Sequence, residues 1–271
     1  MATQQTIPAI LTVAGSDSSA GAGIQADLKA IAANGAYGLT AVTAVTAQSP
    51  GAVTACMPVD AHVIAAQIAA AFEGFEIAAV KSGMLVDRTR VTAVAGAFRA
   101  RAAPHYVLDP VMTSSSGYPL LEPDAVTAVL DELAPMAELV TPNALEAELL
   151  TGRPVRSLSD ARDAAAALIE GGCRAVLVKG GHLAEAPATD LLVTPDLEQV
   201  FAGEFVPTSG ASGTGCTYSA AIATHLGRGE NLIDAIDKAK RYVTAAIRGG
   251  PAVGRGAGPM DHFYALRGAL K

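Results

Sequence analysis

Apolar residues along the chain fall into short runs, separated by stretches in which they recur every three or four positions. The runs at 9–13, 38–45, 78–81, 105–108, 139–141 and 175–179 have the length and aliphatic content of buried strands. Helical patterns follow most of them, at 24–33, 61–72, 89–101, 125–133, 144–150 and 159–170. Strand and helix in alternation predict βαβ units, and hence a mostly parallel sheet with helices on both faces. Further on, 189–193 and 199–205 flank Thr194-Pro195-Asp196-Leu197-Glu198, which reads as a hairpin and makes part of the sheet antiparallel. Two helical patterns, 217–226 and 232–248, close the chain. No polar linker or low-complexity segment divides residues 1–271, so a single domain is expected.

Composition narrows the class. The 271 residues are 51% hydrophobic but only 4% aromatic, with no Trp, so the core is built from Ala, Val, Leu and Ile. A net charge of −7 argues against a nucleic-acid surface, which needs basic stripes. Cys56, Cys173 and Cys216 are odd in number and contain no CxxC pair. They form neither a disulfide framework nor a zinc site, and fit a reducing compartment. There is no signal-peptide pattern at the start and no window of about 18 apolar residues, so no membrane span is expected and the cytoplasm is the default. His62, His105, His182, His225 and His262 lack ligand spacing and read as surface or packing residues.

In sheets of this kind, ligands bind beyond the carboxyl ends of the strands. The most informative loop is Ser212-Gly213-Thr214-Gly215-Cys216-Thr217-Tyr218-Ser219, a glycine turn running into an apolar helix. Such a turn exposes backbone N–H groups at the positive end of a helix dipole, a ready site for phosphate. Cys216 stands at its mouth, where a thiolate is expected to be stabilised. A plain helix start with a buried cysteine is the competing reading.

Other strand ends add candidates. The loop Gly15 to Gly23 formally fits a dinucleotide fingerprint at Gly21-x-Gly23-x-x-Ala26, but its glycines stand too far from the strand and no acid follows near 42–48. It reads better as a loop that lets a ligand approach the backbone, with Asp27 one helical turn inside, able to accept hydrogen bonds from it. Gln48 can donate and accept, which suits a heterocycle edge. Met84 can pack on a flat ring. In Thr141-Pro142-Asn143-Ala144-Leu145-Glu146, Thr141 is the expected N-cap, and Asn143 and Glu146 share a helix side. Asp109 and Glu146 could serve magnesium through water, while a capping-box acid is the plainer reading of Glu146. Lys179 ends an apolar strand and suits a phosphate oxygen. There is no Walker A motif and no HExxH.

Taken together and in this order, the loops resemble the hydroxymethylpyrimidine/phosphomethylpyrimidine kinases of the ribokinase-like superfamily. The likeness is carried by Ala14–Ser18, Gly21–Lys29, Thr43–Gln48, Lys81–Leu85, Asp109–Met112, Thr141–Glu146, Val178–His182 and Gly213–Ser219, and spans about residues 7–263. The resemblance implies a three-layer α/β/α sandwich and an ATP- and Mg2+-dependent enzyme of thiamine biosynthesis. It would phosphorylate 4-amino-5-hydroxymethyl-2-methylpyrimidine and then its monophosphate. By the same resemblance, Asp27, Gln48, Met84 and the Gly15 backbone meet the pyrimidine. Asp109, Asn143, Glu146 and Lys179 serve ATP and the metal. Gly213, Thr214 and Gly215 form the anion hole, and Cys216 is the base. Relatives are often dimers, so a homodimer is expected.

Two positions depart from that family, Ser212 and Arg255, where many members carry His. The nearest rival is pyridoxal kinase of the same superfamily. Gln48 and Met84 favour the pyrimidine. A non-catalytic sensor of a thiamine precursor and a nicotinamide-dependent oxidoreductase are the readings from other classes.

Overall fold

The protein is described here by a computed structural model covering residues 7–114, 116–182, 187–207, 212–251, 253 and 258–267. Among the described residues, nine strands form one sheet. They are β1 (Ala9–Asp17), β2 (Tyr37–Ser49), β3 (Ala52–Pro58), β4 (Ile77–Ser82), β5 (Tyr106–Leu108), β6 (Leu139–Val140), β7 (Val176–Val178), β8 (Thr189–Val193) and β9 (Glu198–Ala202). Their spatial order is β3-β2-β1-β4-β5-β6-β7-β8-β9. The pairs from β2 through β7 are parallel, whereas β3, β8 and β9 pair antiparallel. The expected hairpin is β8–β9, with Leu191 opposite Val200.

Helices cover both faces, as the alternation predicts. They are α1 (Gly23–Ala33), α2 (Ala61–Gly74), α3 (Arg88–Arg101), α4 (Ala125–Ala128), α5 (Ala144–Thr151), α6 (Leu158–Glu170), α7 (Thr214–Gly227), α8 (Leu232–Arg248) and α9 (Tyr264–Arg267). Side chains alternate across a strand, and β1 shows the result. Leu11 and Val13 enter the core shared with α2, α3, α5 and α6, while Ile10 enters the core shared with α1, α7 and α8. Each fully buried Leu, Ile or Val contributes roughly 1.5–3 kcal/mol of transfer free energy. Helix α8 repeats the logic at helical spacing, burying Ala235, Ile236, Ala239, Tyr242, Val243 and Ala246. The pattern at 125–133 is helical only in part, since after α4 the chain widens to a π turn over Val129–Leu133 and tightens at Ala134–Met136, where Pro135 offers no N–H.

Strand β3 is absent from the expected strands, although Ala52, Val53, Ala55, Cys56 and Met57 make it largely apolar. It is an edge strand, half-buried or exposed along its whole length, and its apolar residues do not alternate with polar ones. Ser49-Pro50-Gly51, a turn sequence, separates it from β2.

Candidate functional site

The carboxyl ends of β2, β1, β5, β6, β7 and the start of β8 border one cavity of about 960 Å³, within the usual size of a small-molecule site. At its β2–β1 end stand Gln48, Gly15 and Met84. The Gln48 side-chain Oε1 lies 3.3 Å from Thr46 Oγ1, whose shorter bond is to the Ser16 carbonyl (2.9 Å), and Gln48 lines the cavity. The Met84 carbonyl is tied to Thr43 Oγ1 (2.6 Å). A Cβ on Gly15 would lie 2.8 Å from Met84 Sδ, so glycine is what lets the thioether cover this backbone.

The loop after β1 is held by Asp17. Its carboxylate accepts from the N–H groups of Ser19 (2.8 Å), Gly21 (3.0 Å) and Ala22 (2.8 Å). Gly23 has φ +57°, and a Cβ there would meet the Gly15 carbonyl oxygen at 2.3 Å. These glycines therefore serve close packing of one loop strand on another, not a dinucleotide turn.

The glycine turn lies on the same cavity. Its Gly213 is the N-cap of α7, with φ +78° and no capping side chain of its own. A Cβ at Gly213 would collide with the Gly21 carbonyl oxygen at 2.1 Å, so the turn rests on the β1 loop. Thr217 N donates to the Gly213 carbonyl (2.9 Å), closing the first helical turn. Gly213, Thr214, Gly215 and Cys216 all line the cavity, as does Ser212. Arg255 lies outside the described residues.

The expectation of a ready thiolate at Cys216 is corrected. Burial pushes its thiol up to about 11, with Asp27 and Asp109 adding to the rise while Lys81 and the Gly23 N–H oppose it. Loss of solvent and two nearby carboxylates outweigh the helix end.

Asp109, Lys179 and Glu146 meet across the turn. Lys179 Nζ donates to Asp109 Oδ1 (2.8 Å) and stands 3.9 Å from Glu146 Oε2. Asp109 also accepts from Ser219 Oγ (3.1 Å), which sits one turn along α7. Burial opposes its ionisation, yet Lys179 and Lys81 hold Asp109 below the usual carboxylate range. Burial lifts Glu146 to about 7, although Lys179 pulls it down. Burial likewise works against the charge of Lys179, and Asp109 and Glu146 overcome it, keeping the ammonium above its ordinary value. A Cβ on Gly215 would stand 3.2 Å from Lys179 Nζ, so the bare glycine brings the helix start close to this cation.

Asn143, not Thr141, is the N-cap of α5. It accepts from Glu146 N (2.9 Å), while Asn143 N donates to Glu146 Oε2 (2.8 Å), a complete capping box. Thr141 is instead fully buried, beside Asp109 (3.3 Å). The capping-box reading of Glu146 therefore holds, and the same side chain faces Lys179.

Asp27 departs from the expected placement. It is fully buried, does not line the cavity, and accepts from Thr12 (2.6 Å) and from Lys81 Nζ (3.0 and 2.9 Å). Its lone pairs are spent on that pair, one layer behind the wall. Lys81 went unread as a charge because it ends an apolar run. The sequence signal was available, since a lysine inside a buried strand needs a buried partner. At the far end, along β8 and α8, Asp190 accepts from Lys240 Nζ (2.6 Å) and from Gly180 N (3.0 Å), and Tyr218, Lys240, Thr244 and Ile247 line the cavity. None of these four was singled out from sequence.

The sequence profile of the phosphomethylpyrimidine kinase family matches residues 17–261. The chain is 46% identical over 258 residues to the hydroxymethylpyrimidine/phosphomethylpyrimidine kinase of Rhizobium meliloti, covering 94% of this chain and 96% of that relative. It is 40% identical over 258 residues to the enzyme of the same description from Escherichia coli, covering 94% and 97%. Among solved structures, an ADP complex of Bacillus subtilis pyridoxal kinase superposes with TM-score 0.89 at 35% identity, covering 97% of this chain and 99% of that one. Phosphomethylpyrimidine kinase from Clostridium difficile superposes with TM-score 0.76 at 36% identity, covering 87% and 99%.

Proposed function

The chain belongs to the phosphomethylpyrimidine kinase family, and on that premise we propose how its cavity works. It transfers the γ-phosphoryl group of ATP to the hydroxymethyl group of 4-amino-5-hydroxymethyl-2-methylpyrimidine, and then phosphorylates the monophosphate. One observation carries this reading: Gln48 and Met84, the glycine turn 213–216 and Lys179 all open on one cavity. The pyrimidine lies against Gly15 and Met84, with its amino edge on the Gln48 amide. The hydroxymethyl oxygen then faces the turn.

Phosphoryl transfer asks the protein chiefly for positioning and charge stabilisation. The N–H groups at the start of α7 hold the equatorial oxygens of the moving phosphoryl group, and Lys179 holds its outer charge. The substrate oxygen bonds to phosphorus, the bond to the β-phosphate oxygen breaks, and ADP leaves. The minor thiolate fraction of Cys216 receives the hydroxyl proton, becoming the neutral thiol that burial favours. Asp27 acts behind the wall by holding Lys81. The adenosine end lies toward Tyr218, Lys240 and Thr244.

Magnesium fits the donor set. Asp109 and Glu146 are hard oxygen donors near the turn, and the described residues contain no group of three His, Cys, Asp or Glu side chains able to cage an ion alone. That matches a cation carried mostly by water and phosphate. Asp109 and Glu146 would hold it through water, and it would neutralise charge between the phosphates.

No helix among the described residues is long and apolar enough to cross a membrane. We place the enzyme in the cytoplasm, where ATP and free thiols coexist, as a single domain. We assign it a homodimer, supported by the exposed Val45 and Met57 along the β2–β3 edge, with Tyr37 and Phe75 stacked at 5.9 Å. Light scattering tests this: a 27.3 kDa species alone removes the dimer.

Pyridoxal phosphorylation is a second reading, favoured by the 0.89 superposition on a pyridoxal kinase. Incubation with ATP and magnesium, offering each alcohol separately and weighing the products, decides between them. The pyrimidine mono- and diphosphate are expected. Phosphorylated pyridoxal as the dominant product reverses the choice, and no phosphorylated product removes both.

A further inference from the structure

Helix α7 begins on a glycine, so its N-cap position has no side chain to cap the first turn. Other residues supply that restraint. His262, on the segment before α9, is 3% exposed, and its Nε2 lies 2.9 Å from Oγ1 of Thr217, which is fully buried. Thr217 is the residue whose N–H closes the first turn on Gly213. Two residues earlier on the same segment, Met260 Sδ accepts from Thr214 Oγ1 at 3.8 Å. The segment is in turn anchored to α8: Asp261 N donates to the Ala246 carbonyl (2.9 Å), and Tyr242 Oη donates to the His262 carbonyl (3.0 Å).

We propose that His262 is a positioning residue for phosphoryl transfer, pinning the first turn of α7 to α8 through its hydrogen bond to Thr217. It touches neither the cavity nor the reacting atoms. It holds a side chain of that turn from 45 residues away in sequence, and couples the glycine turn to the helix that lines the far end of the cavity.

The kinetic half of this inference rests on the kinase reading above, so the test has a second arm that does not. In the full-length protein, amide hydrogen exchange at residues 214–217 is compared in wild type, His262→Ala, His262→Gln, Thr217→Val and Thr217→Ser. Exchange there should rise by about tenfold or more in His262→Ala and Thr217→Val, while that of β1 and β4 stays unchanged. In steady-state assays of the folded fraction, kcat should fall about ten- to a hundredfold in those two variants, with the pyrimidine KM within about threefold of wild type. His262→Gln and Thr217→Ser each keep a hydrogen-bonding partner and should restore most of the rate. The double variant His262→Ala/Thr217→Val should be no slower than the worse single variant, because both remove one bond.

Unchanged exchange at 214–217, or additive losses in the double variant, would overturn the proposal. If His262→Ala fails to fold, the Thr217 pair still decides: equal rates in Thr217→Val and Thr217→Ser overturn it. A wild-type protein with no phosphorylated product sinks the kinase reading, yet leaves the exchange result to decide the pinning.

Discussion

Cys216 is asked to accept a proton while its surroundings keep it protonated. With its thiol near 11, it is almost wholly neutral at pH 7. If it takes the hydroxyl proton, kcat should climb by up to about tenfold per pH unit from 7 toward 9, and Cys216→Ala should be about 10²-fold slower with that slope lost. A flat wild-type profile would assign Cys216 a neutral hydrogen-bonding role. Lys179 answers to a different measurement. Its loss removes a charge-assisted contact, so Lys179→Met should lower kcat/KM for ATP by roughly 10- to 100-fold and leave pyrimidine binding nearly intact. It also strands the buried carboxylate of Asp109, so stability falls too and rates must be referred to folded protein. An unchanged kcat/KM for ATP would remove Lys179 from the phosphate side.

At the scale of elements, the segment before α9 makes a prediction about pH. Burial, reinforced by Lys29, lowers His262 to about 4 from an unfolded value near 6.5. The unfolded chain therefore binds the proton first as pH falls. The contribution of His262 is complete above pH 6.5 and lost between 6.5 and 4, amounting to at most about 3 kcal/mol. Urea midpoints should thus fall more steeply in wild type than in His262→Gln over that window, and parallel curves would contradict this. The same element marks the limit of what the sequence reveals. Strands with one-sided or two-sided burial, such as β1 and β4, announce themselves through apolar runs, and helices such as α8 through their spacing. Edge strand β3 is apolar in sequence but exposed, and without alternation of apolar and polar positions it does not read as a strand. The glycine turn, Lys179, Asp109 and Gln48 were legible because each sits at a strand or helix end where chemistry is expected. Lys81 was hidden inside an apolar run. The pairing of Asp27 with it, the cap at Asn143 and the His262–Thr217 bond depend on contacts between elements far apart in sequence, which periodicity does not encode.

For the whole molecule, the strand order sets where the proposed mechanism puts substrate and nucleotide. Parallel strands bring the loops after β1, β5, β6 and β7 to one side of the sheet, and the glycine start of α7 lies among them. Gln48 near one edge and Lys240 near the other then define the two ends of a single trough, with the turn between them. The most direct test of this arrangement is the position of the γ-phosphorus in a complex with a non-hydrolysable ATP analogue, magnesium and the pyrimidine alcohol. Its oxygens should lie within hydrogen-bond distance of the N–H groups of residues 214–216, in line with the hydroxymethyl oxygen. A γ-phosphate bound elsewhere, with those N–H groups facing protein or solvent, would contradict the account.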